Sequence, residues 1–206
     1  LGAERLEDVG EASVCVSEST TTILNLRELV RTRFPALEVR AYESLEGVYS
    51  SFFSRECDLM TQDRVALVSQ RLNRTANPND YVLLEDVISK EPLGPAVRIE
   101  DEDWFDIVQW VVFALILAEE HGITQDTVDA FADSSNPEVR RMLGFDPGVG
   151  ALFGLDDGWA ARAIRATGNY GEIYARNLGA DSPLKIARGL NALWTEGGLL
   201  YAPPLR

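Results

Sequence analysis

Two clusters of residues in this chain have the types and spacing to do chemistry. Ser17-Glu18-Ser19-Thr20-Thr21-Thr22 sets hydroxyl side chains ahead of a helical period, and Thr61-Gln62-Asp63 sets a carboxylate ahead of another. A helix start carries unpaired backbone N–H groups and a partial positive charge, so the first cluster suits a carboxylate or phosphate. Asp63 suits an ammonium group, which would donate charge-assisted hydrogen bonds to it. Taken together they suit a zwitterion, provided the fold opens both into one mouth. Taken singly, each is an ordinary way to begin a helix.

Other chemistries find little support. His121 is the sole histidine and falls in the last turn of an apolar helical stretch, where a charged imidazole complements the macrodipole. No nucleophile-elbow sequence accompanies it, and His and Cys lack metal-ligand spacing, so neither a catalytic triad nor a metal or other cofactor is expected. Acidic residues number 33 against 19 basic in 206, a net charge of −14. That balance disfavours nucleic acid, whose binding needs clustered Lys and Arg. With 46% apolar and 25% charged residues the composition is that of a globular protein able to bury a core. The apolar run 110–118 is about half of the roughly 20 residues a bilayer-spanning helix needs. Acidic sequence follows Leu1, so no secretion signal is expected in this stretch, and Cys15 and Cys57 leave the compartment open, since they could form one disulfide or stay a buried reduced pair.

The elements that must position the two clusters alternate. Short β-rich runs at 13–17, 37–42, 58–61 and 81–84 are separated by helical periods at 21–34, 45–53 and 64–72. This β-α-β-α-β-α-β order implies a mostly parallel sheet with right-handed crossovers. If the first strand lies between the second and third, both clusters open into the crevice beyond the strands' carboxyl ends. Pro92, Gly94 and Pro95 make 88–98 a connector. Beyond it the pattern is helical: 104–121 closed by Gly122, then starts at Thr124, Asn136-Pro137, Asp157 and Ser182-Pro183, the last running to Trp194 and closed by Gly197-Gly198. The apolar helix at 104–118 has few strands to pack on, so it belongs either among the chain's own helices or against a sheet outside this sequence.

Several strings carry a family resemblance. Val14-Cys15-Val16-Ser17-Glu18-Ser19-Thr20-Thr21-Thr22 and Arg55-Glu56-Cys57-Asp58-Leu59-Met60-Thr61-Gln62-Asp63 resemble the second lobe of general L-amino-acid-binding periplasmic proteins of ABC transporters. The likeness continues through Val87 to Pro95, Asp103-Trp104-Phe105-Asp106, Gly168-Asn169-Tyr170-Gly171-Glu172, Arg188 to Trp194 and Gly197 to Pro204. It implies an α/β type II solute-binding fold: the second, parallel-sheet lobe over 1–90, then over 91–206 a hinge return and the helical remainder of the first lobe with a C-terminal extension. It further implies that this periplasmic, non-enzymatic protein captures an L-amino acid between two lobes and delivers it to transporter membrane subunits. By this resemblance Thr20 and Thr21 take the ligand's α-carboxylate, with Ser19 where the family usually has Gly, and Asp63 takes the α-ammonium. Cys15 and Cys57 match positions commonly paired in the family.

The same resemblance implies that most of lobe one, including an Arg that clamps the carboxylate, lies outside the chain, its place beside helix 104–118 being filled by that lobe or another polypeptide. Losing one member of a buried charge-assisted pair costs about 2 to 5 kcal/mol, or roughly 30-fold to several-thousand-fold in dissociation constant. The isolated chain is therefore expected to bind ligand weakly or not at all. Two alternatives are an enzyme on the same two-lobe fold (a hydrolase, lyase or dehydratase) and a sensory or structural remnant that has lost capture.

Overall fold

The computed structural model describes residues 2–90 and 92–205, so Glu91, within the connector, lies outside the described residues. The chain forms two compact units, Leu1–Leu93 and Gly94–Arg206.

In the first unit, β1 (Ala12–Ser17) is buried along its whole length. It is the middle strand of a parallel sheet, with β2 (Leu37–Tyr42) on one side and β3 (Leu59–Met60) on the other. Successive side chains of a strand point to opposite faces. Val14 and Val16 pack with Leu37 and with Ile23 and Leu26 of α1 (Thr21–Thr32), whereas Cys15 packs with Cys57 and with Val48 of α2 (Leu45–Phe53). Helix α3 (Arg64–Arg74) follows β3. A central strand covered on both faces explains why β1 reads as an uninterrupted buried run.

Two expectations fail in this unit. The third strand is shorter than 58–61, pairing only Leu59 with Val14 and Met60 with Cys15. The fourth, at 81–84, does not form; after a 3₁₀ turn at Pro78–Asp80 the chain leaves the sheet. The residues just beyond it pair with the chain's start: Glu85 donates its N–H to the Glu4 carbonyl at 2.9 Å, and the Asp86 carboxylate accepts from the Leu6 N–H at 2.8 Å.

The second unit is helical. Helix α4 (Glu102–Glu120) starts at Asp101, whose carboxylate accepts from the Trp104 N–H at 3.3 Å, and acidic Glu102 and Asp103 face its positive end. Its C-terminal half buries Ala114, Ile116, Leu117 and Ala118 against Ile123, Met142, Trp159 and Ile164. The apolar helix thus finds part of its cover among the unit's own helices, while Trp104 and Phe105 stay 52% and 49% exposed. Helix α5 (Pro137–Leu143) has the expected Asn136 cap and closes at Gly144, whose φ of 81° is left-handed. A Cβ at Gly144 would lie 2.7 Å from the Asp157 carbonyl, so the position admits only glycine. Helix α6 (Trp159–Thr167) opens from Gly158 without a side-chain cap; Asp157 instead accepts from the Gly150 N–H at 3.3 Å. The start at Thr124 yields only a hydroxyl-closed turn and a 3₁₀ stretch, Val128–Asp133.

The helix expected over 182–194 is also overturned. Lys185 and Gly189 adopt left-handed φ values of 52° and 51°, which an α-helix cannot contain, and Ile186 donates to the Leu178 carbonyl at 2.8 Å. Ser182 keeps a local capping role, accepting from the Leu184 N–H at 3.1 Å, but only 3₁₀ turns follow at Gly189–Asn191 and Trp194–Glu196. The helix present is α7 (Tyr170–Asn177), opened by a reciprocal capping box in which Glu172 N–H donates to Asn169 Oδ1 and Asn169 N–H to Glu172. Asn169 is buried, and its Nδ2 also donates to the Ile123 carbonyl at 2.9 Å. Asn169→Ala is expected to lower the unfolding free energy by about 2 kcal/mol, from the lost cap and an orphaned buried carbonyl. Urea unfolding followed by tryptophan fluorescence checks this, and a loss below about 0.5 kcal/mol would contradict it.

Candidate functional site

Parallel pairing sends β1 and β3 to the same sheet edge, so the loops that follow them start side by side. After β1, Glu18 still donates to the Tyr42 carbonyl at 2.9 Å, extending the β2 ladder, and Ser19 is exposed. Thr20 is the extended residue ahead of α1 (φ −133°), but its hydroxyl donates back to the Ser17 carbonyl at 2.9 Å and makes no cap to the helix. The first-turn N–H groups of α1 therefore have no cap from Thr20, and exposed Thr21 keeps its hydroxyl hydrogen for another acceptor.

After β3, the Thr61 N–H donates to the Cys15 carbonyl at 3.2 Å. Asp63 occupies the cap position of α3 without capping it; its carboxylate is exposed, and its own N–H donates to Gln62 Oε1 at 2.9 Å. The topology thus brings Ser19, Thr20 and Thr21 on one side and Asp63 on the other to the carboxyl ends of adjacent strands, an uncapped helix start beside an uncommitted carboxylate.

Contacts just upstream of β3 hold it in place, the first of them the disulfide that the family resemblance implies. Cys15 and Cys57 form a disulfide with their Cα atoms 5.8 Å apart. Arg40 of β2, paired bidentately with Glu38, also donates to the Glu56 carbonyl. Asp58 accepts from both the N–H and the hydroxyl of Ser13, at 2.8 and 2.7 Å, and donates its own N–H to the Ser13 carbonyl at 3.1 Å and hydroxyl at 3.2 Å. The Ser13 N–H first, and then its hydroxyl, hold the Asp58 carboxyl below the usual carboxylate range. For such a depressed acid, the associated stability is fully present above the ordinary carboxylate pKa and is lost as pH falls through the lower folded value. Parallel register places Ser13 opposite Asp58, a signal visible only once the strand order is known.

Among the described residues no group of three or more His, Cys, Asp or Glu is arranged to hold a metal ion. His121, at the end of α4, lies 3.2 Å from Glu138 Oε2. Among the described residues no helix is long and apolar enough to cross a membrane.

Comparison with known proteins places this geometry in context. No family model matches the chain. It is 48% identical over 208 residues to the general L-amino acid-binding periplasmic protein AapJ of Rhizobium johnstonii, covering all of this chain and 61% of that protein. It is 44% identical over 208 residues to the glutamate/glutamine/aspartate/asparagine-binding protein BztA of Rhodobacter capsulatus, again covering all of this chain and 61% of the relative. A solved structure of an ABC transporter periplasmic binding protein from Brucella ovis with glutathione bound superposes with a TM-score of 0.90 at 43% identity, over 100% of this chain and 64% of that one. The chain therefore spans about three-fifths of the length of the curated relatives it matches. Along that whole stretch it is similar to amino-acid-binding periplasmic proteins of ABC transporters, and its α/β fold matches the corresponding part of a periplasmic binding protein.

Proposed function

We propose that this chain supplies the second lobe, and the helical part of the first, of a periplasmic protein that captures L-amino acids for an ABC transporter. The observation that carries the reading is the juxtaposition of the uncapped start of α1 with Asp63 at the carboxyl ends of adjacent parallel strands. Backbone N–H groups and the Thr21 hydroxyl would take the α-carboxylate, and Asp63 the α-ammonium. A free amino acid and glutathione share this pair of groups, so the same donors and acceptor suit either. Capture requires no bond to break, and the work of the site is recognition: ligand contacts on two lobes would favour a closed state, which transporter membrane subunits read. The exposed Trp104 and Phe105 of α4, with exposed Ile99 ahead of them, support a further cover by a first-lobe sheet, supplied by the remaining lobe-one residues or by another chain.

Half a site binds weakly, so the test is made at millimolar ligand. In an NMR titration of the chain, L-glutamate is expected to shift the amides of residues 19–22 and 61–63, and to do so more strongly than glutarate, which lacks the ammonium. Asp63→Asn is expected to weaken L-glutamate about tenfold while leaving glutarate unchanged, as loss of a charged hydrogen-bond partner requires. Shifts confined to other surfaces, or a glutamate response indifferent to Asp63, would refute the assignment.

A further inference from the structure

The residues ahead of β3 fix its place more firmly than the strand itself can. Only Leu59 and Met60 join the ladder, and they do so at the sheet edge, so backbone pairing alone leaves the following loop, 61–63, weakly held. The disulfide limits how far β3 departs from β1 but does not choose its register, since a bridge tolerates Cα separations of roughly 4.4–6.8 Å. The Ser13–Asp58 contact does choose it. Both donors of Ser13 end on Asp58 Oδ2, and the Asp58 N–H returns to the Ser13 carbonyl and hydroxyl, an exchange that a strand slipped by one residue would break. Such a slip moves the loop by about 3.3 Å along the strand and turns its side chains to the opposite face.

We propose that Asp58 is a positioning residue for ligand capture: by clasping Ser13 it locks β3 in register with β1 and thereby keeps Asp63 beside the start of α1. The inference rests on the amino-acid reading above for its ligand half, and on geometry alone for its register half. Asp58 touches no ligand. It acts through the backbone that carries Thr61, Gln62 and Asp63.

Amide exchange at Thr61, whose N–H bonds the Cys15 carbonyl, reads register without any ligand. In Asp58→Ala, exchange at Thr61 is expected to accelerate roughly tenfold relative to Val16, whereas Asp58→Asn, which keeps an acceptor oxygen, stays within about threefold of the parent. Ser13→Ala, which removes only the hydroxyl, gives an intermediate acceleration and keeps the test available should Asp58→Ala fail to fold. Titrated with L-glutamate and glutarate, the variants should lose preference for the amine-bearing ligand in the same order, with Asp58→Asn restoring it. Unchanged Thr61 exchange in a folded Asp58→Ala or Ser13→Ala protein overturns the proposal. If the parent itself shows no preference between the two ligands, the amino-acid reading fails and takes the ligand half with it, and Thr61 exchange still decides the register half.

Discussion

Opening the Cys15–Cys57 disulfide should lower the unfolding free energy of the first unit by about 4 kcal/mol. The bridge closes a loop across 42 positions, and the chain-entropy relation for a loop of that size gives roughly this value at 25 °C. The loop contains α1, β2 and α2, so the reduced unfolded chain regains the freedom of nearly half of the unit. Both sulfurs lie in the core, Cys15 at 0% and Cys57 at 4% exposure, so Cys15→Ala with Cys57→Ala adds a small packing loss to the entropic one. All four tryptophans, at 104, 110, 159 and 194, fall in the second unit, so their fluorescence reports that unit and not the one carrying the bridge. The informative measurement is amide exchange at Val14 and Val16 with the bridge intact and reduced. A change below about 1 kcal/mol there would mean that the unfolded chain stays compact without the bridge and that loop entropy is the wrong account.

How far the sequence revealed this arrangement depends on whether a feature is local or set by tertiary contacts. The short run at 13–17, flanked by helical periods, predicts a strand of a mostly parallel sheet, and the position between the second and third strands on which the site depended is where β1 sits. The hydroxyl cluster and Asp63 were readable as helix-opening residues because capping chemistry is a property of neighbouring positions. The direction of the Thr20 hydroxyl was not, because it depends on where the Ser17 carbonyl stands once β1 is paired. Ser182-Pro183 and Gly197-Gly198 are valid start and stop signals, yet the chain between them turns left-handed at Lys185 and Gly189 as Ile186 pairs with Leu178. Conversely, the Asn169-x-x-Glu172 box was visible but opened a helix only eight residues long with Gly171 inside it, which a period count passes over. The run at 81–84 had strand-forming residues but joins neither edge of the sheet, its neighbours Glu85 and Asp86 being paired instead with residues 4 and 6. The Ser13–Asp58 clasp is the extreme case, since nothing in either residue announces the other until the register places them side by side.

Arg188→Ala is expected to destabilise the second unit by about 3 kcal/mol, because one guanidinium engages α4, α7 and the turn at 188–191 at once. It forms a forked pair with Glu119 of α4 at 2.7 and 3.2 Å and donates twice to the Asn191 carbonyl at 2.9 and 2.7 Å. It also lies over the rings of Tyr170 and Tyr174 of α7, 5.6 and 5.2 Å from their centroids. The Arg188 and Glu119 side chains are only 24% and 13% exposed, so truncation strands a largely desolvated carboxylate, and that penalty outweighs the direct attraction lost. Gly171 belongs to the same arrangement: a Cβ there would stand 2.7 Å from Glu119 Oε1, where the carboxylate must sit to meet the guanidinium. The stranded charge distinguishes this account from simple loss of packing. Adding Glu119→Gln to Arg188→Ala should recover part of the stability, whereas Glu119→Gln alone should cost more than it does in the Arg188→Ala background. Arg188→Lys keeps the charge but not the planar fork or the ring stacking, and should fall between the parent and Arg188→Ala. Tryptophan fluorescence in urea reads the whole cycle. Additive losses, or an Arg188→Ala cost below about 1 kcal/mol, would show that the segment after α7 is held by its apolar contacts, Leu193 and Leu205 among them, and not by this ion pair.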